Sequence, residues 1–202
     1  MSPGNSLGPD GRLPAWWDGG MSTPMPFITV GHSAHPLEHF LDLLTGAGVG
    51  ILVDVRKLPG SRAQPQFNGD TLSEALAGVG IGYRHASGLG GRRKVSTTVP
   101  FEVNAGWRNR SFHNYADHAL TGEFNDALAG LVADGRRATT AIMCAEAVWW
   151  RCHRRLIADN LLSRGHGVQH LMASGRLQEA TLTPGAVVAA DGAITYPALS
   201  SG

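Results

Sequence analysis

The pattern of apolar and polar positions changes character at Phe27. From there "FITVG" is a short run of β-favouring residues, and "HPLEHFLDLLTGAG" sets Leu37, Phe40, Leu41 and Leu44 at helical spacing behind Pro36, with glycines at its end. "VGILVDVR" follows as an unbroken apolar run, the kind a sheet covered on both faces buries. A loop, "KLPGSRAQPQFNGD", leads to a short helix over 71–78, where Thr71 and Glu74 have capping-box spacing, and then to a strand "IGYRH". Helical spacing returns with Phe112, Tyr115 and Ala119, and again with Phe124, Leu128 and Leu131 behind a Thr121 cap. "ATTAIMC" reads as a buried strand, "RCHRRLIADNLLSRG" as a helix stopped by Gly165, and "VQHLMA" as a last strand, after which "TLTPGAVVAADGAITYP" adds a hairpin.

Strands alternating with helices predict an α/β fold, a single layered domain over 27–202 with a mainly parallel sheet flanked by helices. Residues 1–26, around "PAWWDGG", show neither period and read as a flexible N-terminal arm. The stretch "ASGLGGRRKVSTTVPFEVNAGWRNRSF" also lacks a period and is long for a connector, which makes it a candidate functional loop or lid.

Composition narrows the function classes. No apolar run approaches the roughly 20 residues that span a bilayer, and the N-terminus lacks the features of a secretory signal, so a cytoplasmic protein with no membrane partner is expected. Two cysteines are too few for a disulfide framework and default to thiols. A net charge of +1 gives no polyanion-attracting field. Local clusters at Arg92-Arg93-Lys94, at Arg108 with Arg110, and from Arg151 to Arg155 still offer phosphate contacts.

In open parallel sheets the ligand crevice lies beyond the carboxyl ends of the strands. That rule gathers His32 and Ser33 after the first strand, and Asp54 and Arg56 with Ser61 and Arg62 after the second. It adds Tyr83, Arg84 and His85 after the third, and Cys144 and Glu146 after the fourth. Asp54 closes an apolar run and reads equally as a catalytic carboxylate or as an internal partner of Arg56. His32, before a helix start, is the best-placed candidate base among the histidines. Cys144 and Arg151 have the ingredients of a thiolate cradle, but six residues separate them where such cradles usually have five, and Glu146 opposes thiolate formation. Metal ligation by Cys144, Cys152 and His153 is disfavoured, since neighbours on a helix point about 100° apart. Arg154 near the helix start is a candidate oxyanion ligand and Arg155 a solvated one, while the pair Trp149 and Trp150 reads as structural.

The blocks "TVGHSAHPLEHFLDLL", "LVDVRKLPGSRAQPQFN", "GIGYRHASGLGGRR", "FHNYADHALTGEFNDAL" and "IMCAEAVWWRCHRRLIADNLLSRG" together resemble the domain of unknown function 488 family, in order and at its usual spacings. The resemblance marks His32, Ser33, Asp54, Arg56, Ser61, Arg62, Cys144, Glu146, Cys152, His153 and Arg154 as the characteristic polar positions, with Trp149 standing where proline is expected. It implies no secure activity.

Three functions fit these residues. The first is an enzyme binding a phosphorylated or nucleotide-like substrate, free or within nucleic acid, through Ser33, Arg56, Ser61, Arg62, Arg151, His153 and Arg154. It would hydrolyse that substrate by acid–base chemistry with Asp54, Glu146 and His32, and glycosidic cleavage is conceivable. The second is sulfurtransferase- or phosphatase-like thiol chemistry at Cys144. The third is a nucleotide or nucleic-acid binding module without catalysis. The lead reading requires no cofactor; haem or a metal at Cys144, Cys152 or His153 is a further option.

Overall fold

The structure is a computed structural model that describes residues 27–60 and 62–198; the N-terminal arm and Ser61 lie outside them. Strands β1 (Phe27–Gly31), β2 (Ile51–Asp54), β3 (Gly82–His85), β4 (Thr140–Cys144) and β5 (Val168–Leu171) pair in parallel, and β6 (Leu177–Glu179) closes one edge antiparallel to β5. The sheet order is β3-β2-β4-β1-β5-β6. Helices α1 (Leu37–Gly46) and α2 (Gly69–Gly78) cover one face. Helices α3 (Arg110–Ala119), α4 (Gly122–Gly135) and α5 (Arg154–Leu162) cover the other. This is the α/β layered domain with a mainly parallel sheet that the residue pattern predicts.

Alternation along the strands feeds two cores. Ile28, Val30, Leu52, Ala141 and Met143 meet Phe40, Leu44, Leu72 and Leu76 from α1 and α2. Phe27, Val53 and Ile142 point the other way, into Tyr115, Phe124, Leu128 and Leu156. Each such side chain larger than alanine, fully buried, contributes about 1.5–3 kcal/mol relative to exposure.

The strand order locates the site. Strand β4 lies between β1 and β2, whose following helices go to the α1/α2 face, while the helix after β4 goes to the opposite face. Connections leaving adjacent strands toward opposite faces open a crevice at their carboxyl ends. Backbone bonds continue past the sheet there, with His32 N–H donating to the Cys144 carbonyl at 3.0 Å and Ser33 N–H to the Ala145 carbonyl at 3.0 Å.

Several local expectations change. Helix α2 starts at Gly69 with Asn68 at its N-cap, two residues before the expected Thr71 start, so the Thr71–Glu74 capping box is not its entry. The Thr121 cap of α4 forms, its hydroxyl accepting from Phe124 N–H at 3.3 Å. Helix α5 starts only at Arg154; Cys152 before it is extended, at φ −123 and ψ 147, after a 3-10 turn over Trp149–Arg151. The expected tail hairpin is present as β7 (Val187–Val188) paired with β8 (Ile194–Thr195). The aperiodic stretch after β3 carries 3-10 turns at Ser87–Leu89 and Phe101–Asn104 and is pinned by polar bonds from α3. Tyr115 Oη donates to the Leu89 carbonyl at 2.6 Å, and Asn104 Nδ2 to Asp117 Oδ1 at 2.8 Å.

Candidate functional site

The end of β2 is built around an ion pair. Asp54 is 0% exposed and Arg56 7%, and the guanidinium grips the carboxylate through Nε at 2.9 Å to Oδ1 and through Nη2 at 2.6 Å to Oδ2. Tyr83 Oη donates to Asp54 Oδ2 at 2.9 Å, and Arg56 Nη2 also donates to the Phe67 carbonyl at 2.7 Å. Buried charges persist only when paired and hydrogen-bonded in this way. Burial, with the negative charge of Asp54, pushes the Tyr83 hydroxyl up, which keeps it a donor. Of the two roles open to Asp54, the geometry is that of the internal partner of Arg56.

His32 completes this group. Its ring stacks on Phe67 with centroids 4.2 Å apart, and its Nε2 lies 3.3 Å from Arg56 Nη1. Arginine can only donate, so Nε2 accepts, and Nδ1–H donates to the Ser33 carbonyl at 2.9 Å. Burial, with the nearby Arg56 charge, lowers the His32 pKa to about 4, so the ring is neutral at pH 7. Ser33 takes the left-handed backbone at φ 48, which a non-glycine residue adopts only where its surroundings impose it. The preceding Gly31 is needed because a Cβ there would overlap the Glu146 carbonyl oxygen and crowd Arg154 Nη2 at 2.9 Å.

The second group lies at the end of β4 and the start of α5. Arg154 is 1% exposed; its Nε donates to Cys152 Sγ at 3.3 Å, and its Nη2 donates to the Glu146 carbonyl. Among the described residues no carboxylate forms an ion pair with it. His153 donates from Nε2 to the Val55 carbonyl at 3.1 Å, which leaves Nδ1 facing Cys152 Sγ at 3.7 Å and Cys144 Sγ at 4.0 Å. Because Cys152 is extended rather than helical, its side chain and that of His153 converge, and the 100° separation expected of helix neighbours does not arise.

Burial works against a charged Cys152. The thiol of Cys144, the His153 ring and the Arg154 guanidinium outweigh it and hold Cys152 well below the usual thiol range. The Cys144 thiol is pushed up, by its hydrogen bond to Cys152 and by burial. With Arg154 Nε donating to its sulfur, Cys152 is the better placed of the two to carry a thiolate, while the burial of Cys144 is the opposite of an activated nucleophile's environment.

The remaining predicted residues are distributed around these two groups. Glu146, Arg62 and Arg151 are exposed, and Ser61 lies outside the described residues. Trp149 stacks on His170 with centroids 4.0 Å apart, and Thr29 Oγ1 meets His170 Nδ1 at 2.7 Å. His170, whose pKa burial and then Arg154 lower to about 4, is a buried polar residue that the strand pattern gives no reason to single out. Arg155, expected on a solvated face, instead donates to Thr183 Oγ1 at 2.8 Å and lies over the Trp107 ring at 5.2 Å.

Fold and site thus define an α/β layered protein with its polar residues gathered at the switch point between β1, β4 and β2. The chain belongs to the family described as Domain of unknown function DUF488, whose model matches residues 36–161. That match holds β2 to β4 and most of α5, and begins four residues after His32. No curated protein and no solved structure matches the chain. No helix among the described residues is long and apolar enough to cross a membrane.

Proposed function

We propose that the protein is a hydrolase for a phosphorylated or nucleotide-like substrate, with Glu146 as its acid–base carboxylate. One observation carries the reading: of the two carboxylates at the switch-point strand ends, Asp54 is fully buried in its ion pair, whereas Glu146 is exposed while its own carbonyl is held by Arg154. A solvent-reaching carboxylate on an anchored backbone beside the switch point supports that role. Of the arginines expected to take a phosphate, Arg62 and Arg151 are exposed on the loops after β2 and β4, whereas Arg56 and Arg154 are engaged internally. His32, Ser33, Asp54 and Arg56 position the loops. A two-carboxylate glycosidase arrangement of Asp54 with Glu146 draws no support from a carboxylate that cannot reach solvent.

The test is a turnover panel of nucleosides, nucleotides and modified DNA. Glu146→Gln should reduce turnover of the active member about 10²- to 10⁴-fold with binding retained, and Arg62→Ala or Arg151→Ala should weaken only phosphorylated members, in a salt-dependent way. Salt-dependent binding without turnover would reduce the protein to a binding module. An absence of both turnover and arginine-dependent binding would remove the reading altogether.

A further inference from the structure

We propose that Cys144, Cys152 and His153 form a binding site for a thiophilic d10 cation, Zn2+ or Cu+, held by two sulfurs and one imidazole nitrogen. The three ligand atoms, from the end of β4 and the turn before α5, all lie within 4.8 Å of one another. Zinc bonds of about 2.3 Å to sulfur and about 2.0 Å to nitrogen, at tetrahedral to trigonal angles, place a sulfur and a nitrogen about 3.5–3.7 Å apart. His153 Nδ1 lies 3.7 Å from Cys152 Sγ and 4.0 Å from Cys144 Sγ. Both are long for hydrogen bonds to sulfur; the Cys152 distance lies at the edge of the metal-bound range and the Cys144 distance just beyond it, so a small movement of the Cys144 sulfur brings both within reach of one cation.

The surrounding contacts are those of a ligand shell. A metal-binding histidine typically donates its second ring N–H to a carbonyl, which fixes the tautomer and aims the free lone pair; here Nε2 donates to the Val55 carbonyl at 3.1 Å. Arg154 Nε donates to Cys152 Sγ at 3.3 Å, the outer-shell hydrogen bond that a metal-bound thiolate accepts. Gly91 packs against the face of the His153 ring, where a Cβ would lie 2.8 Å from Nδ1, 3.2 Å from Cε1 and 3.3 Å from Cγ and would push the ring away from the two sulfurs. Two sulfurs and an imidazole select soft cations over Mg2+ or Ca2+. Binding displaces any proton still on either sulfur to the solvent, with no change in oxidation state. Charge separates the two cations: with both thiolates and Arg154, Cu+ gives a neutral three-coordinate site, while Zn2+ leaves one positive charge for an anionic fourth ligand.

The experiment uses the reduced full chain stripped by a chelator. Zn2+ and Cu+ are titrated against chromophoric competitors, and Co2+ is added separately to read sulfur-to-metal charge-transfer absorption. The expected result is one equivalent of Zn2+ or Cu+ per chain, with the competition deciding which binds more tightly, and a Co2+ spectrum bearing thiolate bands. Cys144→Ser and Cys152→Ser should each weaken binding by at least about tenfold, and Gly91→Ala should weaken it with both sulfurs intact. Absence of stoichiometric binding and of thiolate bands in the unmodified chain would overturn the proposal, whatever the variants do. So would affinity unchanged in folded Cys144→Ser and Cys152→Ser. The readout is metal content rather than turnover, so its failure leaves the hydrolase reading standing, and failure of that reading leaves this one.

Discussion

Two buried arginines, Arg56 after β2 and Arg154 at the start of α5, show different ways of keeping a guanidinium out of water. Arg56 has a carboxylate in bidentate contact, a backbone carbonyl and a neutral histidine around it, and the cluster is self-contained. Arg154 has a sulfur and a carbonyl in place of the carboxylate. An ion pair with an aspartate closes a site, because neither partner can leave without stranding a buried charge. A guanidinium paired with a cysteine leaves chemistry available, since sulfur can lose a proton or hold a metal. The β2 side of the switch point is thus the frame and the β4–α5 side is where reactive groups remain.

The largest effect that tests this contrast is removal of Asp54. Asp54→Asn strands Arg56 and should cost about 3–5 kcal/mol of stability, read as a fall in the urea midpoint. Cys152→Ser should cost clearly less, because hydroxyl and carbonyl acceptors remain for Arg154. Equal losses would mean that the two arginines play the same role. A smaller effect appears in acid. His32 and His170, each held at about pKa 4 chiefly by burial and next by Arg56 and Arg154 respectively, have an ordinary value of 6.5 when unfolded. Between pH 6.5 and 4 the unfolded chain binds protons that the native chain refuses, so stability falls as pH drops through that window and the two rings add no further loss below it. Each ring contributes on the order of 1–3 kcal/mol, allowing for partial solvent screening. Arg154→Met should raise the pKa of His170 and leave that of His32 nearly in place, which histidine titration by NMR resolves ring by ring.

Periodicity is sufficient to read the five parallel strands and the helices, and the strand-end rule gathers His32, Asp54, Arg56, Cys144 and Glu146 from the sequence. What it could not give was who pairs with whom. The insertion of β4 between β1 and β2 is a long-range choice that no local window contains. The convergence of Cys152 with His153 depended on where α5 begins, and helical spacing at Leu156, Ile157 and Leu161 extends the pattern backward with nothing local to stop it. His153 sits at the N-cap without a side-chain cap bond, so no Ser, Thr or Asp marks the boundary. Strand β6 is exposed throughout and shows no alternation to detect. The stretch after β3 read as a possible lid because polar bonds between distant residues, rather than a buried stripe, hold much of it in place.

Arg93 supplies the low end of the scale. Its Nη1 donates to Glu123 Oε1 at 3.0 Å, but that carboxylate is 60% exposed, so water and salt screen the pair. Its other donors do more, with Nε reaching the Gly90 carbonyl at 2.7 Å and Nη2 the carbonyls of Ser87 and Gly88 at 2.8 and 2.9 Å. Those bonds hold the turn that carries Gly91 to the His153 ring. Glu123→Gln should therefore change stability by no more than about 0.5 kcal/mol, while Arg93→Ala should cost more, because three carbonyls lose a donor at once and the bonds to Gly88 and Gly90 are partly shielded from water. If the two substitutions cost the same in urea unfolding, the exposed ion pair, not the carbonyl clamp, is what Arg93 contributes. The graded order from Asp54 through Cys152 to Glu123 would then no longer follow the burial of each arginine's partner.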